Sequence, residues 1–519
     1  MARLVPIDIV APGSKGLNTE RANALLDPAW ATVALNAVIN RSGRIAARKG
    51  WEDQTTTGIA GSPTIDVLFE YLDRAGVSVI ISAAGNKIFK NITDFTISAN
   101  DITSSTAPTA DHWQFVNFNG KVLGFQKGHT PIERSSGDFI DAVYTGTGPD
   151  GNCAVAAFGR VWAADADLQT VRYSALLDDT DYSLANGGGT LDMSSIWTNG
   201  MDEIVAIAAL GANLIVFGRN HIVIWADGTG SEIGLDPTEL QVVDTIEGTG
   251  TIARDSVRNT GEGDLLFLSR HGIQSLGRVI QFKSNPLVTM TRNIRALFKQ
   301  SIELQRANDA NFDQVRATHS PEEGLYIINF PVPNKQFVLD TTHAFQDEDG
   351  QVVTPVTDWI LGGNMVGMLT TAAGNTFFGS AGVVAKYAGL SDNAVAYDFE
   401  FDTGWLDFGE ELNHRLKMLK EIGTSVSIGD GTLVWRWEFD FLGTKLTRAV
   451  TYTGGITSEF NKAEFNIGQF AGGAVLQRKR IPAFGEGQFL KLGVTSSVNG
   501  FDVIVQQMTV APKIGRMVT

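Results

Sequence analysis

The sequence predicts an all-β fold: a divergent β-propeller with an additional β-sandwich or barrel-like platform domain and a few short helices. Three observations predict it. Apolar runs rich in β-branched and aromatic residues recur along the chain, each broken by a turn holding Gly or Asn. Their starts repeat at intervals of roughly 40 to 65 residues, the range in which propellers and other arrays announce themselves. Glycine, 56 of 519 residues, falls where the runs break.

Taken in order, residues 1–50 form an N-terminal arm that belongs with the platform or a docking region. It holds a helix candidate over 22–39, with Pro28 starting a new helix rather than lying inside one. Residues 51–400 carry the repeats, among them "YLDRAGVSVIISAAGNKIFKN", "AAFGRVWAADADLQTVRYSA" and "EGDLLFLSRHGIQSLGR". The stretch "ALGANLIVFGRNHIVIWADG" (209–228) reads as the inner hairpin of a blade. Leu214 to Phe217 and Ile222 to Trp225 are then buried between neighbouring blades, with Arg219, Asn220 and His221 as turn residues. No WD or kelch signature is present. Stacked sandwiches and a parallel β-helix compete with the propeller, but a β-helix needs a tighter period. A helical insertion is expected over 291–310, where Ile294, Leu297, Phe298, Ile302 and Leu304 fall at near-helical spacing. From 401 to 519 the strands lengthen and alternate better. Asn499-Gly500 between Phe489–Val494 and Phe501–Val505 is a strong hairpin signal, and this segment reads as the β-rich platform.

Composition narrows the function classes. Asp and Glu number 57 against 41 Lys and Arg, a net charge of −16. Such a surface disfavours ordinary nucleic-acid binding, which needs phosphate-neutralising cations. Cys153 is the single cysteine, so a disulfide framework and Cys-rich metal sites are excluded. The N-terminus lacks the long apolar stretch of a signal peptide. The most apolar region, Ile204 to Phe217, is too short to span a bilayer.

A search for catalytic chemistry finds none, and no metal or cofactor site. The seven histidines (112, 129, 221, 271, 319, 343 and 414) are scattered singly and read as surface or loop residues. "GTGTIA" at Gly248–Ala253 matches a dinucleotide pattern but lacks the crossover helix that would hold pyrophosphate. Asp165 and Asp347 begin oxygen-rich runs that stop short of a calcium loop and suit turns. "SIGDGTLVW" (427–435) is similar to a sialidase Asp-box, in the wrong register and once only. Two basic islands stand out in an acidic chain: Arg41, Arg44, Arg48 and Lys49, then Arg478, Lys479 and Arg480. They are candidate docking residues for an acidic partner, or charges that guard strand edges.

The N-terminal residues carry a resemblance. Gly16-Leu17-Asn18-Thr19, Asp27-Pro28, Asn36, Gly43 and Arg48-Lys49-Gly50-Trp51 follow the order seen at the start of tail proteins of short-tailed bacteriophages. The middle continues it with "RYSALLDDTDYS", "LIVF" and "FLSRHGI", and the closing "FGEGQFLKLGV…MTVAPKIGR" looks like their last segment. The chain thus resembles the tail nozzle or tail-hub proteins, the tail tubular protein B type. The resemblance implies a virion tail protein without enzymatic activity, made in the host bacterial cytoplasm. It implies a ring of six copies below the portal and adaptor, with tail fibres or spikes outside. Viral DNA would pass through the axial channel without specific binding. The alternatives are a propeller glycosidase or receptor-binding tail protein acting on host glycan, and a host-side propeller scaffold that binds peptides.

Overall fold

The structure, a computed structural model, describes residues 6–22, 26–73, 75–103, 112–197, 200–227, 236–261, 263–282, 289–346, 352–362, 365–407, 415–453 and 475–517. The apolar runs between 65 and 387 form short antiparallel sheets that succeed one another around a ring. Blade 1 is Ile65–Leu72, Ser78–Ala84 and Lys87–Lys90; blade 2 is Gln114–Phe118, Lys121–Phe125, Ile132–Arg134 and Ile140–Asp141. Blade 3 is Ala154–Ala157, Arg160–Ala164, Thr170–Tyr173 and Gly189–Asp192. Blade 4 is Ile204–Leu210, Asn213–Gly218, His221–Asp227 and Leu240–Glu247. The fifth sheet is irregular, with Arg258–Asn259, Leu265–Ser269 and Gly272–Ser275 outside a 3-10 turn, Arg254–Ser256, that replaces most of an innermost strand. Blade 6 is Arg316–Ser320, Leu325–Phe330, Lys335–Asp340 and Val356–Trp359. Blade 7 is Gly367–Thr370, Thr376–Gly379 and Val384–Tyr387, completed by Trp51–Asp53 from the start of the chain. The chain is therefore an all-β propeller of six regular blades and one irregular sheet.

Continuous apolar runs follow from this arrangement. A blade is buried on both faces, so both sets of alternating side chains must be apolar. Leu214 and Val216 pack toward blade 3, whereas Ile215 and Phe217 pack toward the fifth sheet. Leu265 and Phe267 face blade 4, and Leu266 and Leu268 face blade 6. The ring closes where Phe377 and Val384 of blade 7 meet Ile65 and Leu68 of blade 1. Phe217 is fully buried with its ring 5.2 Å from that of Phe267. Phe217→Ala is expected to cost about 3 kcal/mol. A urea midpoint equal to that of the wild type would contradict this placement.

Three expectations need correction. The stretch 209–228 supplies the two middle strands of blade 4, and the innermost strand is Ile204–Leu210, which precedes most of it. His221 is not a turn residue. It opens a strand, is 8% exposed, and its Nδ1 lies 2.8 Å from Asp202 Oδ2, while Asp202 also accepts the backbone N–H of Arg219 and Asn220. A shared acceptor pins the hairpin turn there. The helix candidate over 22–39 fails as well, its residues 23–25 lying outside the described ones. Ala31–Leu35 and Ala37–Ile39 are strands, because Thr32, Val33, Val38 and Ile39 are β-branched. Asn36, at φ 51°, breaks the run between them. The helix expected over 291–310 is present as Arg295–Asn308, with Phe298 packed on Phe330 and Phe337.

The platform is a sandwich of two sheets. One joins Ala37–Ile39, Ile45–Ala47, Val503–Met517, Arg415–Ile428 and Val475–Pro482, with Ile7–Val10 and Glu486–Gly487 at its sides. The other continues blade 6: Val356–Trp359 pairs with Ala31–Leu35, which leads to Tyr397–Leu406, Leu490–Val498, Gly431–Phe439 and Leu446–Tyr452. One nine-stranded sheet therefore runs from the propeller axis to the far edge of the sandwich. Alternate residues such as Leu490, Leu492 and Val494 face Val503, Val505 and Met508 across the core. The Asn499-Gly500 turn sits between Leu490–Val498 and Val503–Met517, with Gly500 at φ 78°.

Candidate functional site

The innermost strands of the regular blades begin on one face of the propeller, and there an ionic cluster crosses the axis. Arg254 leaves the fifth sheet and uses all five of its N–H donors. Nη1 donates to the carbonyls of His112 (3.2 Å) and Asn152 (2.6 Å), and Nη2 to that of Trp113 (3.3 Å). Nε and Nη2 also hold Asp255 at 3.1 and 2.8 Å. Arg316, from blade 6, reaches the Asp66 carbonyl in blade 1 at 3.1 Å, the Asp255 carboxylate, and His112 Nδ1 at 3.0 Å. Two guanidiniums thereby tie blades 1, 2, 3 and 6 to the fifth sheet.

Electrostatics fix the protonation states. Because Nδ1 of His112 accepts from Arg316, its proton sits on Nε2, which donates to Asp313 at 3.1 Å. Burial and the neighbouring Arg254 charge lower the His112 pKa to about 4. Burial alone would raise the Asp255 carboxyl, but Arg254, Arg316 and His112 together hold it far below the usual carboxylate range. The cluster is charge-balanced, with Arg254 and Arg316 set against the Asp255 and Asp313 carboxylates around a neutral His112. Sequence reasoning missed it. The only visible signal was an Arg-Asp pair inside the apolar "TIARDSV", where adjacent charges demand partners.

The predicted docking residues separate into distinct roles. Arg48 is 1% exposed and cannot meet a partner, which corrects its assignment. Its five donors reach Asn36 Oδ1 (3.0 Å), the Lys49 and Ile360 carbonyls (2.8 and 3.2 Å), and both oxygens of Asp392 (2.8 and 2.7 Å). Its guanidinium lies over the Tyr397 ring at 4.1 Å. Arg41 is exposed and donates to the Glu322 carbonyl; Lys49 is exposed and paired with Glu323; Arg44 is half-buried. On the sandwich edge, Lys479 turns inward over the Tyr452 ring at 4.5 Å and donates to the Thr451 carbonyl. Arg478 and Arg480 are exposed beside a groove of about 510 Å³ that Glu421, Gly423, Gln507 and Thr509 also line. This groove and its two arginines are the candidate interaction site.

Other predicted features have modest roles. Gly248–Ala253 connects blade 4 to the 3-10 turn, Asp165 pairs with Arg172, and the Asp347 run and His414 lie outside the described residues. Burial pushes the Cys153 thiol up to about 12, so it is not a nucleophile at neutral pH. Among the described residues no three His, Cys, Asp or Glu side chains are placed to share a metal ion. No helix among them is long and apolar enough to cross a membrane.

No protein-family model and no curated protein matches the chain. Among solved structures, the extracellular domain of a one-component system from B. thetaiotaomicron aligns at 11% identity and a TM-score of 0.38. That alignment covers 80% of this chain and 58% of the other, so the chain spans little more than half its length. The WD40 β-propeller domain of Doa1 aligns at 11% identity and a TM-score of 0.36, over 65% of this chain and 96% of that one.

Proposed function

We propose that the chain is a structural tail protein of a short-tailed bacteriophage, the nozzle or hub that lines the last part of the DNA channel. One observation carries the reading. Several of the N-terminal residues through which the sequence resembles that family converge on the seam between propeller and sandwich. Leu17 donates its N–H to Val356, and Asn18, fully buried, donates its own to Ala31. Asn36 and Arg48 form the hydrogen-bonded knot described above. Gly50 lies against Ser391, where any Cβ would sit 1.9 Å from the carbonyl oxygen, and Trp51 opens the strand that closes the ring of blades. Shared residues at such a joint favour a shared architecture.

In this reading the DNA passes between copies, not through one propeller, since Arg254 and Arg316 cross the propeller axis. The net charge of −16 suits a channel that must not grip phosphates. A glycan-acting role has less support: among the described residues, the groove beside Arg478 has no aromatic side chain on which a sugar ring could stack. Electron microscopy of the purified chain, alone and with its adaptor ring, tests the proposal. Symmetric rings with an axial channel are the expected result. Single propeller-shaped particles under both conditions would overturn it.

A further inference from the structure

We propose that the strand edge carrying Leu476, Arg478 and Arg480 docks head-to-tail onto the surface that blades 2 and 3 of a second copy present away from the ionic plug. The inference rests on the ring reading above and names the contact that would build it. Val475–Pro482 is the outermost strand of its sheet among the described residues, pairing on one side only, with Arg415–Ile428. Alternate residues point outward, and Leu476 is 58% exposed. Charges guard a strand edge against accidental pairing, but an exposed leucine in the same row does the opposite. Asp8 and Glu421 line the same groove, yet Arg480, 3.5 Å from Glu421, keeps a side chain 85% exposed.

The complementary surface is on the same chain. The segment after blade 2 and the loop after the third strand of blade 3 run side by side, with Thr145 donating to Thr180 and Tyr182 donating to Thr145. Rings of Tyr144 and Tyr182 meet edge-on at 5.0 Å. Around this seam Val143 is 82% exposed, Leu184 83%, Leu177 64% and Ile140 57%. Four exposed apolar side chains on two segments joined by these hydrogen bonds form a candidate interaction surface. Asp141 and Asp178 stand exposed among them. An apolar surface with exposed carboxylates matches a strand that offers one leucine and two arginines. Because the two patches differ, repetition of the contact produces a ring or a filament rather than a closed pair.

Sedimentation velocity on the full chain across a concentration series tests the contact. Arg478→Glu with Arg480→Glu is expected to weaken association at least tenfold, and Asp141→Arg with Asp178→Arg to do the same. Combining the four changes should restore it to within about threefold, and added salt should weaken the wild-type contact. Arg478 and Arg480 are exposed, so their variants should melt near the wild type; Asp178 accepts the Thr180 N–H and hydroxyl, so Asp178→Asn, which keeps an acceptor, serves as the fold control for the carboxylate side. Unchanged association in both charge-reversed pairs would place the contact elsewhere and leave the ring reading standing. Loss without restoration would show that the two patches do not face each other, which overturns the pairing. A wild type that stays monomeric at every concentration and with the adaptor present would end the ring reading and this contact together.

Discussion

Asp255→Asn is expected to destabilise the propeller by about 3 to 5 kcal/mol, at the upper end for a single buried ion-pair partner. The substitution keeps the shape and removes the only carboxylate between Arg254 and Arg316, whose side chains are 3% and 4% exposed. Two guanidiniums then remain in a low-dielectric site with carbonyls and a neutral amide as their partners. Neither can leave easily, because Arg254 also satisfies carbonyls in blades 2 and 3. Replacing Arg316 as well, by Met, should return part of the loss, since the pair acts as a unit. The same cluster sets a pH dependence. With a folded pKa of about 4 against about 6.5 unfolded, His112 is protonated in the unfolded chain and neutral in the folded one across that window. Stability therefore falls as pH drops from about 6.5 to 4, by up to about 3 kcal/mol. The Asp255 carboxylate adds a further loss below the unfolded carboxylate range. His112→Gln keeps an acceptor and a donor and should flatten the upper part of the slope. Urea midpoints across pH for the three variants check all of this, and an Asp255→Asn midpoint near that of the wild type would sink the plug argument.

How much of this was legible beforehand depends on the kind of interaction. Burial between blades leaves a local trace, because both faces of a strand such as Asn213–Gly218 must be apolar. That is why the propeller, the long platform strands and the helix near 295–308 could be read. Pairings across hundreds of residues leave no local trace. Arg48 finds Asp392, Arg254 finds His112 and Asn152, and Trp51–Asp53 completes a blade that ends at Tyr387. In sequence Arg48 sits beside Arg44 and Lys49 and reads as one of a surface group. Lys49 is indeed outside and Arg44 half-buried, yet Arg48, in the connection between Ile45–Ala47 and Trp51–Asp53, turns inward onto Asn36 and Asp392. Strand alternation turns Lys479 inward between Arg478 and Arg480. The candidate site was thus legible as a composition, and its division into buried and exposed members was not.

The sharing of one sheet by propeller and sandwich has a functional consequence. A hinge would need a connection that few hydrogen bonds cross, but here Leu35 pairs with Asp358, the N–H groups of Leu17 and Asn36 donate to Val356 and Asp358, Trp359 Nε1 donates to the Ala37 carbonyl, and the Ile360 N–H donates to Asn36 Oδ1. The edge strand Val475–Pro482 and the surface of blades 2 and 3 are accordingly fixed relative to each other. In the proposed ring, a head-to-tail contact would then repeat with a constant rotation, which is the condition for closure at a defined number of copies.

Arg48→Met is expected to have an effect of similar size, about 3 to 5 kcal/mol, and to act on the seam. Methionine fills the volume of the stem but leaves Asp392, the Asn36 side chain and the Lys49 and Ile360 carbonyls without the donor they share. Lysine is no substitute, because a single ammonium cannot reach five acceptors arranged around a planar fork. Arg48→Lys should therefore recover less than half of the loss, whereas Arg41→Ala, at an exposed position, should leave the urea midpoint within about 0.5 kcal/mol of the wild type. The damage should be local at first. Trp51–Asp53 lies directly after Arg48 and Tyr387 pairs with Trp51, so hydrogen exchange should rise there and around Asp392 before it rises in blades 2 to 4. That order distinguishes loss of the joint from general loosening. If Arg48→Met melts like the wild type, this arginine is not what holds the seam, and the resemblance of "RKGW" to the tail proteins would have to rest on contacts made by its exposed neighbours Arg41 and Lys49.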